Sequence, residues 1–440
     1  MPVQYEVMLA GGGFDIPVTV PGRDLRSGGL AFYCQEKMSL NTRLRMTVGV
    51  GDKERVIYIG KVVRIEISGE PGTEYVAGVE YDTISEADRA RIEEFIKKVD
   101  LDAVIAAIPL DGVVDINFIA GFSPVVKKVK GLIIQPSAVF DEYTLKCLLF
   151  SILDKERYKK FLAEKELNFV YSYSEKIRFR VNLHMQRGKA EATFRCIPPA
   201  VSTPSQLGLP RAVERLLAEN KKGLILIAGR TGSGKTTTLA AMVNYLNNNR
   251  SGIVVTIEDP VEYIHTNNKC IIKQREIGRD TLSFSAAAKN ALRQNPDILV
   301  IGEILDVETM DVAITAAETG SLVLATIHAG NCVQALDRAI GFFAPDVQKN
   351  ILSRLSMVVK GVITQMLIPK LDESGLVVAA EVLVANDAIR KLIRTADWKS
   401  IPSFIQTGKN LGMQLMRDSL EVFCQQGIID PAYLLEESKT

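Results

Sequence analysis

The apolar positions of this chain fall into three successive patterns. From residue 1 to about 98, short alternating runs are punctuated by glycine. Leu44 to Val50, Val56 to Ile67 and Tyr75 to Tyr81 each show the two-residue period of a half-buried strand. A helix follows, with Ser85 as N-cap, Asp88 three positions on, and Ile92, Phe95 and Ile96 along it. The pattern predicts a small β-barrel with a C-terminal helix. Asp100 to Gly112 reads as a connector.

From Val113 to about Pro199 the pattern is mixed. Strands are predicted at Asp115 to Phe118 and Val125 to Val129, and helices at Asp141 to Leu149 and Lys155 to Glu164. Strand character returns at Phe169 to Tyr173, Ile177 to Leu183 and Ala192 to Ile197, so this segment is α+β. Pro198, Pro199, Ser202, Pro204 and Ser205 mark a boundary. After Gly223, continuous apolar runs (Leu224 to Ala228, Ile253 to Ile257, Ile298 to Ile301, Leu322 to Thr326) alternate with helical segments such as Thr236 to Asn247 and Ser283 to Gln294. Continuous runs are the mark of strands buried on both faces, and the alternation predicts a parallel α/β sheet. The tail from about Asp387 reads as helical. The expected domains are residues 1–99, a linker at 100–112, and residues 113–205 and 206–440.

Length and composition are consistent with this division. A chain of 440 residues holds two or three domains, and 47% hydrophobic with 24% charged residues is ordinary globular composition. Fifty-three basic and 52 acidic residues leave a net charge of +1, which argues against a nucleic-acid-binding surface as the main business. The start, from Met1 to Leu9, has no basic segment followed by a long apolar run, so no signal peptide is expected. No stretch reaches the roughly 18 apolar residues that cross a bilayer. Cys34, Cys147, Cys196, Cys270, Cys332 and Cys424 are scattered without a CxxC pair, as expected for reduced thiols in the cytoplasm and not for structural zinc.

The chemistry concentrates in the third segment. Gly229 to Thr236, GRTGSGKT, fits the phosphate-binding pattern G-x-x-x-x-G-K-[ST], placed after a predicted strand and before a predicted helix. Its glycines let backbone N–H groups turn toward phosphate oxygens, and the helix N-terminus adds positive dipole. Lys235 supplies a point charge for the β- and γ-phosphates, and the Thr236 hydroxyl is placed to ligate Mg²⁺. The expected ATP-binding set is Gly229, Thr231, Gly232, Ser233, Gly234, Lys235, Thr236 and Thr237.

A phosphate loop alone means nucleotide, not hydrolysis. Ile298 to Glu303 is an apolar strand ending in a carboxylate, and Thr256 to Glu262 puts three carboxylates after another strand. Leu324 to His328 ends a third strand in histidine. Ligands of open parallel sheets bind beyond the carboxyl ends of the strands, so these segments converge on the phosphate loop. One carboxylate can then serve the metal's shell and another can take the attacking water's proton.

Together these segments resemble the secretion-ATPase superfamily, and most closely the PilT-type pilus retraction ATPases. The resemblance spans about residues 111 to 435. It includes Arg178 to Asn182, TIEDPVE at 256–262, QREIGRDT at 274–281, ETGSLVLATIH at 318–328, AIRKLIR at 388–394, Gln406 to Gly408 and Leu411 to Gln414. It implies a PAS-like middle domain at 113–205, a RecA-like ATPase domain at 206–440, and homo-hexamers acting on an inner-membrane platform protein of the pilus. It also implies roles. Glu262 matches the catalytic glutamate that orients and deprotonates water, Glu303 the Walker B glutamate near Mg²⁺, and His328 a histidine near the γ-phosphate. Arg180 and Arg195 match arginines that reach the phosphates. The departures are Arg230 where the family has proline, Leu305 where it has arginine, and Ala329-Gly330 where hydroxyl residues are common.

The first segment resembles a PilZ domain through Asp24 to Phe32, Ala77 to Tyr81 and the helix from Ser85. Cyclic di-GMP-binding members use an RxxxR stretch and a D/N-x-S-x-x-G turn. Here Asp24 and Gly29 fit the turn, Arg26 stands at its serine position, and no RxxxR precedes it. Loss of those guanidiniums removes several charge-assisted bonds, so the expectation is a barrel used for protein contact. The leading functional expectation is an ATP-hydrolysing retraction motor. The alternative is an ATP-binding regulatory subunit with weak turnover that modulates another pilus or secretion motor, such as another pilus ATPase.

Overall fold

A computed structural model of the protein describes residues 2–7, 18–26, 28–34, 37–50, 54–67, 75–128, 131–135, 139–174, 177–197, 201–372 and 374–437. The chain divides into two compact units, Met1–Cys196 and Ile197–Thr440. The first holds both the barrel and the middle segment, so the division at this level falls later than the barrel's end and earlier than residue 205.

Six strands open the first unit: β1 (Pro2–Val7), β2 (Val18–Arg26), β3 (Gly29–Cys34), β4 (Arg43–Gly49), β5 (Arg55–Ile67) and β6 (Tyr75–Thr83). They pair in a closed ring in the order β1-β2-β3-β6-β5-β4. Alternation sets the interior, which Leu44, Met46, Val48, Val56, Tyr58 and Val62 fill. Helix α1 (Glu86–Lys98) starts as its sequence dictates: Ser85 Oγ accepts from Asp88 N, and Asp88 Oδ2 accepts from Ser85 Oγ. Its Ile92 and Phe95 are buried against the barrel core.

The segment read as a connector is folded. Asp100 caps α2 (Leu101–Ala106) by accepting from Ala103 N. Leu101, Ile105 and Ile108 are buried with the middle sheet's core. Apolar spacing at 101, 105 and 108 was the available signal, and six residues are too few for periodicity to register. The middle segment then runs β7 (Val113–Phe118), β8 (Val125–Lys128), β9 (Gly131–Ile134), α3 (Glu142–Phe150), α4 (Lys155–Glu164), β10 (Glu166–Ser172), β11 (Arg178–Gln186) and β12 (Lys189–Ile197). Its six-stranded sheet has the order β10-β11-β12-β7-β8-β9. Phe118, Phe179 and Phe194 meet edge to face in its core.

The second unit begins with α5 (Arg211–Glu219), β13 (Gly223–Ala228), α6 (Lys235–Asn249), β14 (Gly252–Glu258), β15 (Cys270–Glu276) and α7 (Phe284–Leu292). It continues through β16 (Ile298–Ile301), α8 (Val307–Thr319), β17 (Leu322–Ile327), α9 (Cys332–Gly341), α10 (Pro345–Val358), β18 (Val359–Pro369) and β19 (Leu376–Val384). Helices α11 (Asp387–Thr395), α12 (Ile401–Thr407), α13 (Met416–Gln425) and α14 (Ala432–Glu437) close the chain. The sheet order is β15-β14-β16-β17-β13-β18-β19. Every residue of β13, β16 and β17 is buried, as strands covered on both faces require. Along β13, Leu224, Leu226 and Ala228 enter one helix-covered core while Ile225 and Ile227 enter the other. The sheet departs from the all-parallel expectation at one edge, where β19 pairs antiparallel with β18. No helix among the described residues is long and apolar enough to cross a membrane.

Candidate functional site

Strands β14, β16, β17 and β13 lie side by side and all parallel. Their carboxyl ends therefore share one edge of the sheet, where the loops carrying Glu262, Glu303, His328 and Gly229 to Gly234 emerge. Parallel pairing brings these distant stretches of sequence together.

The phosphate loop joins β13 to α6, with Gly234 as N-cap at φ +87°. Gly229 has φ +152°, and a Cβ there would fall 2.2 Å from Ser233 Oγ and 2.7 Å from the Gln365 carbonyl oxygen. Only glycine fits. Lys235 Nζ donates to the carbonyls of Gly229 (2.9 Å) and Arg230 (3.1 Å), so the ammonium is folded back over the loop. Burial lowers its pKa, and the negative Glu303 opposes that shift. Thr231 and Gly232 are exposed, and Thr236 is half-buried. Thr237 Oγ1 lies 3.0 Å from Tyr263 Oη, which ties α6 to the loop carrying Glu262.

His328 stands between two partners. Its Nδ1 is 3.5 Å from Lys235 Nζ and its Nε2 is 2.5 Å from Glu303 Oε1. Glu303 Oε1 is buried, with no hydrogen-bond donor aligned to it among the described residues. His328 and Glu303 are thus in close contact without an aligned hydrogen bond. Thr326 Oγ1 donates to the Gly302 carbonyl and Ile304 N to the Thr326 carbonyl, clamping the ends of β16 and β17 together.

Of the three carboxylates after β14, Glu258 is held internally. It accepts from Thr256 Oγ1 (2.6 Å) and Gln274 Nε2 (3.1 Å), while burial pushes its pKa up. Gln274 also donates to the Tyr263 carbonyl (2.7 Å) and accepts from His265 N (2.9 Å). Glu276 accepts from Val261 N at 3.0 Å. Two side chains of β15 therefore shape the loop, in which Asp259 is exposed and Glu262 half-buried.

Arg180 and Arg195 belong to the other unit, on the polar face of the middle sheet. Arg195 donates through Nε (2.9 Å) and Nη2 (3.5 Å) to Asp115, directly opposite it on β7. Asp115 is buried, so its carboxylate fixes the guanidinium's direction. Arg180 lies across from Val170 on β10. In the barrel, Asp24 and Arg26 are on β2 and Gly29 on β3, with Arg26 paired to Gly29. The side chains of Asp24 and Arg26 lie outside the described residues.

Sequence reasoning missed Asp115, Gln274 and Gln365 as functional positions. Each is a polar residue interrupting a strand pattern, and Gln274 also opens the QREIGRDT stretch at 274–281. Asp306 caps α8 by accepting from Thr309 N, while Leu305 beside it is 54% exposed. No cluster of three or more His, Cys, Asp or Glu able to hold a metal occurs among the described residues. At the mouth of the phosphate loop the donors are the Thr236 hydroxyl and the Glu303 carboxylate, oxygen ligands of the kind Mg²⁺ takes together with phosphate oxygens.

Residues 164–394 match the family described as type II/IV secretion system protein, and residues 1–98 match the PilZ domain. The chain is 37% identical over 343 residues to the type IV pilus retraction ATPase PilT of Pseudomonas aeruginosa, spanning 77% of this chain and 98% of that protein. It is 40% identical over 285 residues to a twitching motility protein of Neisseria gonorrhoeae, covering 64% of this chain and 76% of that one. The solved structure of the pilus retraction motor PilT with bound ADP superposes with a TM-score of 0.69 at 36% identity, over 76% of this chain and 96% of that one. On this likeness the chain belongs to the type II/IV secretion system ATPase family, among its PilT-like members, and carries a PilZ domain at its N-terminal end.

Proposed function

We propose that the protein is an ATP-hydrolysing motor that powers type IV pilus retraction, with its PilZ domain as a regulatory module. The observation that carries the reading is the contact chain Lys235–His328–Glu303 at the mouth of the phosphate loop. The relatives' names supply the pilus and the direction of work.

In this reading ATP lies along Gly229 to Thr237 with Lys235 at its β- and γ-phosphates. Thr236 and Glu303 would hold Mg²⁺, which supplies charge neutralisation at the phosphates when bound. Glu262 orients a water and takes its proton as the water oxygen attacks the γ-phosphorus. The bond to the β-phosphate oxygen breaks, leaving ADP and phosphate. His328 faces the γ-phosphate and relays its state to Glu303. Arg180 and Arg195 offset the developing charge, Arg195 after leaving or sharing Asp115.

The domain reading is a PilZ-like barrel at 1–99, a PAS-like domain at 113–205 with α2 added to it, and a RecA-like domain at 206–440. Six copies form a ring on an inner-membrane platform protein at the cytoplasmic side. The barrel serves protein contact, since the RxxxR arginines of cyclic di-GMP binders are absent from its sequence. A deletion strain tests the direction of work. Surface pili retained with twitching lost supports retraction, and a strain without pili contradicts it.

A further inference from the structure

Gln365 is an amide buried in an apolar strand, and it touches the phosphate loop from the side. It is 2% exposed on β18, which pairs parallel with β13 up to Ala228–Thr364, so it lies one residue past that last pair. Its Nε2 donates to the Ser233 carbonyl at 2.6 Å. A Cβ on Gly229 would meet the Gln365 carbonyl at 2.7 Å, and one on Gly234 would meet Gln365 Nε2 at 3.2 Å. The loop therefore rests on this residue with no spacer.

Two polar atoms at this contact have no partner among the described residues: Gln365 Oε1 and Ser233 Oγ, both buried. Leaving a buried carbonyl or hydroxyl unpaired is destabilising, and an apolar side chain of similar length would avoid it. The two orphans are chemically complementary, one an acceptor and the other able to donate. They sit on the two residues already joined by the 2.6 Å bond.

Through its backbone register Gln365 is also tied to the next strand. It pairs with Ala380 of β19, whose carbonyl accepts from Gln414 Nε2 (2.7 Å) and whose N–H donates to Ser419 Oγ (3.3 Å). The next pair, Thr364–Glu381, leads to Cys332, whose N–H donates to Glu381 Oε1 at 2.6 Å. Cys332 opens α9, four residues after His328.

We propose that Gln365 is a positioning residue that sets the phosphate loop for nucleotide, its free carbonyl pairing with Ser233 Oγ when the loop closes on phosphate. Through β18 and β19 the same residue reports that closure to the C-terminal helices and to α9. The proposal rests on the reading of Gly229 to Thr236 as the nucleotide site.

The test is the affinity of the full chain for a fluorescent ADP analogue, measured for wild type, Gln365→Met, Ser233→Ala and the double variant. Melting without nucleotide is recorded for each. Gln365→Met is expected to weaken ADP at least tenfold while nucleotide-free melting moves by less than about 3 °C. Ser233→Ala should weaken it about threefold, and the double variant should be no weaker than Gln365→Met alone. Affinity within twofold of wild type in folded Gln365→Met, or additive losses in the double variant, overturns the proposal. If Gln365→Met does not fold, Gln365→Asn keeps an amide one methylene short. Retained affinity there overturns the proposal, and a tenfold loss supports it. A wild-type chain that binds no ADP, like Lys235→Ala beside it, overturns the nucleotide-site reading itself.

Discussion

His328 Nε2 sits 2.5 Å from Glu303 Oε1 while the other ring nitrogen faces Lys235 Nζ at 3.5 Å. One imidazole thus links the residue that would hold phosphate to the residue that would serve the metal. The link exists because β13, β17 and β16 are neighbours in one parallel sheet.

Groups that act as one unit lose function non-additively. His328→Ala and Glu303→Gln should each lower kcat for ATP by at least about 10²-fold, and the double variant should be scarcely worse than the poorer single. Steady-state phosphate release for the four proteins checks this. Losses that multiply would show that the 2.5 Å contact carries no coupling.

Gly229 has no room for a side chain. Gly229→Ala should leave the folded core intact, since the loop lies outside the buried strands, yet weaken ADP binding at least tenfold. Equilibrium titration with the nucleotide, beside circular dichroism, decides it. Unchanged affinity would mean the loop yields cheaply.

Gln274 makes three hydrogen bonds, to Glu258, the Tyr263 carbonyl and His265 N, and so holds the loop on both sides of Glu262 in shape. Gln274→Leu should cost about 1–3 kcal/mol of stability in urea unfolding, and kcat should fall by more than tenfold with KM little changed. A pure stability loss with normal kcat would confine Gln274 to a structural role.

His265 is half-buried, and desolvation lowers its pKa from the usual 6.5 to about 4. The folded state therefore binds fewer protons than the unfolded state between those values, and stability rises with pH across that window. Acidifying from pH 7 to pH 4.5 should cost roughly 2–3 kcal/mol through this group at most. In His265→Gln that part of the slope should vanish, as measured by urea midpoints at several pH values. Parallel slopes for the two proteins would contradict the assignment.

Much of this was legible in the primary structure. The four central strands and the phosphate loop announced themselves because buried parallel strands are continuous apolar runs and GxxxxGKT has few other uses. Helix α1 was legible for its cap, Ser85 with Asp88. Helix α2 was not, because six residues give too little periodicity, and its capping residue Asp100 also serves in turns. Strands β18 and β19 escaped because polar residues interrupt them: Thr364, Gln365 and Glu381 are buried there, each held by a partner distant in sequence. The same fact hid Asp115. A carboxylate in a strand is ordinary until its partner, Arg195, is seen 80 residues away. Tertiary partners give such residues their roles, and local pattern does not record them.

The motor reading stands or falls on whether the chain hydrolyses ATP at this site with Glu262 as the base. Steady-state hydrolysis by wild type beside Glu262→Ala, both saturated with ATP and Mg²⁺, is the decisive comparison. Wild type should sustain turnover that falls by about 10²–10⁴-fold in the variant, with ADP affinity retained. Wild-type turnover no faster than that of Glu262→Ala would contradict the reading and leave a nucleotide-binding regulator instead of a motor.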